Sequence, residues 1–336
     1  MIALKLFAPD DRDEPHSLPT LDEVFRSEIK PRLESRRRAA STIRDYERSV
    51  RTWSEFWGDH GGSPHLDQLT EDHLDQFSEF LAESLTGRTV NKHMGYVQAI
   101  IDQCGPRRSG NTGIGRRLGL LDSVPRYIRV DESPARRGRV ATLAEVEAIL
   151  AHCDAASLPR YQSALKWSAA IRLLFWAGIR RCDLFQNLRR SHWIKSSRCP
   201  VAEVSIEWTW GWLAFTPQKT ARRKPEPLVI PLPRALAFEL EAIRYPAGQV
   251  DPPLLGFANC SRDWAANFER IQRAAGIATP FTFQDGRKSA NVHWQQLVSP
   301  GTGSLFLGHS ARGVNARHYS EDVVLMVKAA QLREGI

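Results

Sequence analysis

Apolar residues recur at spacings of three and four over most of this chain and alternate only in a short stretch near its middle. That pattern predicts a mainly helical protein with a small antiparallel sheet, an α+β fold. Residues 1–19 form a polar, proline-containing arm, and from Leu21 the pattern turns helical. Ser41 is placed to cap a helix carrying Ile43, Tyr46, Val50, Trp53, Phe56 and Trp57, which Gly58 and Gly61-Gly62 end. Thr70 opens the next, with Leu74, Phe77, Phe80 and Leu81 on its inner face. After Gly87, Val90, Met94, Val97 and Ile101 mark another that ends at Gly105-Pro106. A helical domain over 20–104 follows.

From 105 to 138 the periodicity gives way to glycine, proline and arginine, including Arg107-Arg108, Arg116-Arg117 and Arg136-Arg137, which reads as a basic linker. A second domain, 139–336, begins at Thr142-Leu143-Ala144-Glu145, where the N-cap threonine and a glutamate three residues on form a capping box ahead of Val146, Ile149 and Leu150. A long apolar helix runs from Ser163 to Trp176 and stops at Gly178. Residues 201–208 and 212–216 alternate as strands about a turn at Trp210-Gly211, and Leu228 to Pro231 makes a third. Trp208, Trp210 and Trp212 read as sheet packing rather than a base-stacking platform. Helices are expected from Arg234, over Ser261 to Ala275, around Arg287 to Gln296, and over 321–334, where Val324, Leu325, Val327 and Leu332 are available for docking on the same chain or a neighbour.

Composition narrows the class of partner. The 336 residues are 42% hydrophobic and 25% charged, ordinary for a globular protein, yet the formal net charge is +8. The excess is uneven: residues 1–137 carry −1 and 138–336 carry +9. A polyanion is the expected partner of the second half. The five cysteines form no CxxC pair and no cluster with zinc spacing, so reduced thiols are expected and no metal site. The start of the chain is too brief and acidic for a signal peptide, and no run approaches the roughly 18 apolar residues of a membrane span. A cytoplasmic protein is expected.

Four segments carry candidate chemistry. In Ala177-Gly178-Ile179-Arg180-Arg181-Cys182-Asp183-Leu184, a helix ends at glycine and Arg180 opens the next. Its guanidinium can then act with free backbone amides on a phosphate, and Asp183 is placed one turn on to orient it. Gln218-Lys219-Thr220 sets a lysine at a strand turn, with Arg222, Arg223 and Lys224 close behind. The third segment is Thr282-Phe283-Gln284-Asp285-Gly286-Arg287, and the last is Leu307-Gly308-His309-Ser310 with Tyr319 ten residues beyond the histidine. A phenol attacking a phosphodiester needs cationic forks to hold the phosphate, and two arginines with a histidine are suited to that.

The order Arg180, Lys219, Arg287, His309, Tyr319 resembles the tyrosine recombinase (phage integrase) family. The resemblance implies a helical SAM-like core-binding domain ahead of an integrase-type catalytic domain. It implies Tyr319 as nucleophile and Arg180, Lys219, Arg287 and His309 as the remaining catalytic residues, with Asp183 and Gln284 in support. Arg136, Arg137, Arg222, Arg223 and Lys224 would contact DNA. The family box usually reads His-x-x-Arg, and here the first place is Gln284, an amide that donates hydrogen bonds but is no general base; Asp285, His318 or water is left for that task. The resemblance further implies double-stranded DNA as partner, a homotetramer on two sites, and no cofactor. A type IB topoisomerase-like enzyme, a non-catalytic DNA-binding descendant and a metal-dependent nuclease are the other readings.

Overall fold

The computed structural model describes residues 18–107, 117–133, 138–158, 163–221, 226–257, 263–308 and 319–335. It falls into two compact units, Met1–Arg136 and Arg137–Ile336.

The first unit is helical. Thr20 and Glu23 form a capping box that starts α1 (Leu21–Val24), which continues through a π turn at Phe25–Ile29 into α2 (Lys30–Ser35). Arg37 then takes a positive φ of 49°, reversing the chain early enough that α3 (Ala40–Gly58) is capped by Ala39. Ser41, expected to cap, lies inside the first turn instead. Thr70 does open α4 (Glu71–Ser84), and α5 (Gly87–Cys104) follows. Trp53, fully buried, meets Phe77 edge-on at 5.0 Å in the centre of the core. Phe80, expected on the inner face, is exposed at the rim and stacks on Phe56.

Part of the stretch expected to be a linker is strapped to this unit. Leu118, Leu120, Val124, Tyr127 and Val130 pack against its core, and Leu121 is buried in it. The Asn91 side chain, on α5, accepts from the Val130 N–H at 3.1 Å and donates to the Val130 carbonyl at 2.9 Å. Six apolar side chains spaced along it reach the core and the Asn91 amide fixes its backbone, so this segment follows the helix surface despite its arginines. Arg136 and Arg137 lie outside the described residues.

The second unit opens on α6 (Leu143–Ala151), capped by Thr142 and Glu145 as the sequence predicts. The central helix α7 (Ala164–Ala177) buries nine of its residues and ends at Gly178, which is left-handed at φ 56°. Three short strands, β1 (Trp193–Ile194), β2 (Trp212–Phe215) and β3 (Leu228–Pro231), pair antiparallel in that order. The expected strand at 201–208 does not form. Residues 197–208 close a loop on themselves through Cys199 N–H to the Ile206 carbonyl (3.1 Å) and Trp208 N–H to the Ser197 carbonyl (2.7 Å), leaving the β2 edge to Trp193 and Ile194. The tryptophans are packing residues: Trp208 donates its indole N–H to the Leu232 carbonyl at 2.6 Å and Trp212 is fully buried. Trp210, half-buried, lies against Phe238.

Among the described residues, four helices follow α8 (Arg234–Ala242). They are α9 (Trp264–Ala274), α10 (Phe283–Leu297), α11 (Thr302–Phe306) and α12 (Tyr319–Glu334). The expected start of α9 at Ser261 lies outside the described residues. Helix α10 begins four residues before the expected Arg287 because Thr282 and Asp285 form a second capping box. Gly286 lets α10 lie close on α7, since a Cβ there would come within 2.7 Å of Leu174 Cδ2. Helix α12 packs on β3, α10 and α11 of its own chain through Val323, Met326, Val327 and Ala330. Of the residues expected to dock, Val327 is buried and Val324 partly so, while Leu325 and Leu332 face solvent. The three-four spacing from Val323 selects a face that excludes both. No helix among the described residues is long and apolar enough to cross a membrane.

Candidate active site

Arg287 sits in the second turn of α10 and is buried. Its guanidinium donates to the Gly178 carbonyl at the end of α7 and, at 3.0 Å, to the Leu307 carbonyl just past α11. Both acceptors come from helix ends, where carbonyls lack an intrahelical partner. Gly178 is a geometric requirement as well as a helix stop: a Cβ on it would lie 2.8 Å from Leu307 Cδ1 and 3.3 Å from Arg287 Cγ. The first, third and fourth sequence segments therefore meet at one point.

Arg180 lines the same crevice, together with Asp183, Phe215, Pro217, Leu228 and Leu307. Arg287 has its pKa pulled down to about 10, first by burial and then by the nearby Arg180 charge, with Asp183 opposing. Two guanidinium groups held this close favour an anion between or beside them. Arg180 is half-buried, whereas Arg287 is deep.

Asp183 does not serve Arg180 in the way the sequence suggests. It is buried, its Oδ1 accepts from the Gln218 N–H at 2.8 Å and from the Asn187 amide at 3.0 Å, and among the described residues no ion pair joins it to Arg180. The carboxylate thus holds the turn that carries Lys219. That turn closes by Thr220 and Ala221 N–H groups on the Pro217 carbonyl, at 3.0 and 2.9 Å, and Lys219 is exposed at its tip. Asn187 escaped sequence reasoning, because nothing in its spacing marks the π turn Asp183–Asn187 that aims it.

Gln284 is exposed on the first turn of α10. Asp285, one of the groups left as a possible base, is committed elsewhere: its carboxylate accepts from the Thr282 N–H (2.9 Å) and hydroxyl (2.8 Å). The Thr-x-x-Asp spacing that announces this cap was legible in the chain. His309, His318, Arg222, Arg223 and Lys224 lie outside the described residues. Tyr319 is described only as the first residue of α12.

Comparison with known proteins agrees with this architecture. Residues 32–100 match the family model of the phage integrase N-terminal SAM-like domain. No curated protein matches the chain in sequence. Among solved structures it is similar to a lambda integrase dimer bound to a COC′ core site, at 16% identity and a TM-score of 0.59, over 95% of this chain and 84% of that one. It is also similar to the XerH site-specific recombinase bound to difH substrate, at 13% identity and 0.55, over 90% and 82%. A Tn1549 transposon integrase in complex with a circular intermediate DNA gives 13% and 0.55, over 93% and 94%. At these identities the likeness is one of fold. The chain has the integrase fold, a SAM-like helical domain followed by a helical domain with a three-stranded antiparallel sheet.

Proposed function

We propose that this protein is a site-specific DNA recombinase that cuts and rejoins strands through a covalent phosphotyrosyl intermediate. The Tyr319 phenol oxygen bonds to phosphorus and its proton leaves to water. The bond from phosphorus to the 5′ oxygen breaks, that oxygen takes a proton from Lys219, and the strand is left as a 3′-phosphotyrosyl enzyme with a free 5′ hydroxyl. Attack by another 5′ hydroxyl reverses the sequence and joins new strands. Arg180, Arg287 and His309 neutralise the charge on the non-bridging oxygens, so the reaction needs neither metal nor nucleotide. Gln284 donates a hydrogen bond to the phosphate, and Arg136, Arg137, Arg222, Arg223 and Lys224 contact the backbone of the duplex. Two duplex sites are held by four copies of the chain, a reading supported by the likeness to a lambda integrase tetramer bound to a Holliday junction.

One observation carries this reading: two guanidinium groups from segments far apart in sequence converge on one crevice beside the end of α11, ahead of the helix that Tyr319 begins. The test is a nicked duplex built from sequence flanking the gene, from which a short 5′ fragment diffuses away and traps the intermediate. A denaturant-stable protein–DNA adduct that maps to Tyr319 and disappears in Tyr319→Phe is the expected result. Gln284 is the specific observation favouring a second reading, a DNA-binding protein without catalysis. In that case Tyr319→Phe is indistinguishable from the wild type in every assay.

A further inference from the structure

We propose that Asn187 is a positioning residue for Lys219, acting with Asp183 as a two-point clamp on the backbone that precedes the lysine. The proposal rests on the strand-cleavage reading, in which Lys219 protonates the departing 5′ oxygen. The helix after Arg180 widens into a π turn, with the Leu188 N–H reaching back five residues to the Asp183 carbonyl at 2.9 Å. Such turns are rare and concentrate at functional sites. Here the turn lets one Asn187 amide nitrogen donate in two directions, to Asp183 Oδ1 at 3.0 Å and to the Thr216 carbonyl at 3.0 Å. Asp183 Oδ1 in turn accepts from the Gln218 N–H at 2.8 Å. The clamp therefore grips the chain on both sides of Pro217, which has no N–H of its own.

The consequence is mechanical. Lys219 stands exposed on the turn that follows, at the end of a four-carbon stem with several rotatable bonds. A general acid works only when its proton lies within hydrogen-bond reach of the leaving atom, so an unanchored turn would spread the ammonium over many unproductive positions. The clamp removes that freedom at the base of the stem and ties it to the segment that carries Arg180. Asn187 acts through the backbone that carries Lys219, by its bonds to Asp183 and the Thr216 carbonyl.

The experiment separates loss of proton donation from loss of structure. Single-turnover cleavage at saturating DNA is measured on two nicked substrates, one ordinary and one with sulfur replacing the bridging 5′ oxygen. A thiolate leaves without being protonated, so the sulfur substrate has no need of the acid. Asn187→Leu, which keeps the branched shape and removes the amide, is expected to cut the oxygen substrate about tenfold or more slowly. It should cut the sulfur substrate within about threefold of the wild type, the pattern also expected of Lys219→Ala. Asn187→Ala serves if the leucine variant fails to fold. Equal losses on both substrates, or a wild-type rate on the oxygen substrate, overturn the clamp. No adduct from the wild-type protein on either substrate overturns the strand-cleavage reading and the clamp with it.

Discussion

The Arg287 guanidinium donates to the carbonyl of Gly178, 109 residues before it, and the carbonyl of Leu307, 20 residues after it. One side chain thereby fixes the end of α7 to the end of α11, and with them the segments that carry Arg180 and lead to His309. A charge used in this way has a structural task as well as a chemical one, and the two are separable by comparison with its neighbour.

Arg287→Ala should lose cleavage by several orders of magnitude, since one charge-stabilising group is worth about 3 kcal/mol or more. It should also be less stable by about 1–3 kcal/mol for each buried carbonyl left without a donor. Arg180→Ala should lose cleavage comparably while denaturing near the wild-type midpoint, because Arg180 is half-buried. Paired adduct assays and urea titrations check this. Equal stability of the two variants would show that the carbonyl contacts contribute nothing.

Gln284 is exposed at the start of α10, so an imidazole fits there without repacking. Gln284→His should raise single-turnover cleavage at pH 7.5 at least about tenfold, below the full range general acid–base catalysis reaches. Its rate should acquire a rising limb near the ordinary imidazole range, absent from the wild type. A rate unchanged by the histidine means that proton removal from Tyr319 does not limit cleavage.

Which parts of this site were legible in the chain follows from the range of the interactions that build it. Local signals were readable: the Thr142–Glu145 box and the helix stop at Gly178 depend on residues within a turn of one another. The third strand was readable because β3 is a short apolar run after a charged loop. The strand at 201–208 misled because alternation predicts an edge but not its partner, and the loop over 197–208 bonded to itself instead. Asp183 misled in the same manner. Its neighbour in sequence is Arg180, yet its neighbours in space are Gln218 and Asn187, brought there by a π turn that leaves no periodic trace.

His293, on α10, is buried and donates its Nε2–H to the Ala141 carbonyl at 2.7 Å, leaving Nδ1 without a partner among the described residues. Burial, with the Arg333 charge adding to it, holds its pKa below the ordinary value of 6.5, against the raising effect of the Ala141 bond. A depressed pKa means the unfolded chain binds the proton more readily, so this contribution is fully present above about pH 6.5 and is lost as pH falls through the folded value. The wild-type melting temperature should therefore drop between pH 7.5 and 5.5. His293→Gln, which keeps a donor for Ala141, should show a shallower drop, with His93 and His192, also depressed by burial, supplying the remainder. An identical pH slope in the variant would remove His293 from the account.

Arg333, in the last turn of α12, carries its guanidinium over the rings of Trp176 and Trp294, at 5.0 and 4.7 Å from their centroids, and burial brings its pKa down to about 10. Its Nη1 is buried with no partner among the described residues. The cation gains from the two ring faces, on the order of 1–2 kcal/mol when partly desolvated, but a buried donor left unmade costs a comparable amount. The two nearly cancel, and what remains is the packing of the side-chain stem against the tryptophans. Arg333→Met keeps that stem without the charge and should denature within about 1 kcal/mol of the wild type or slightly above it. Arg333→Ala should lose about 1–3 kcal/mol through the vacated contact. Urea titrations of the two variants decide the matter: a methionine variant as unstable as the alanine one would mean that the charge, not the stem, holds α12 to α7 and α10.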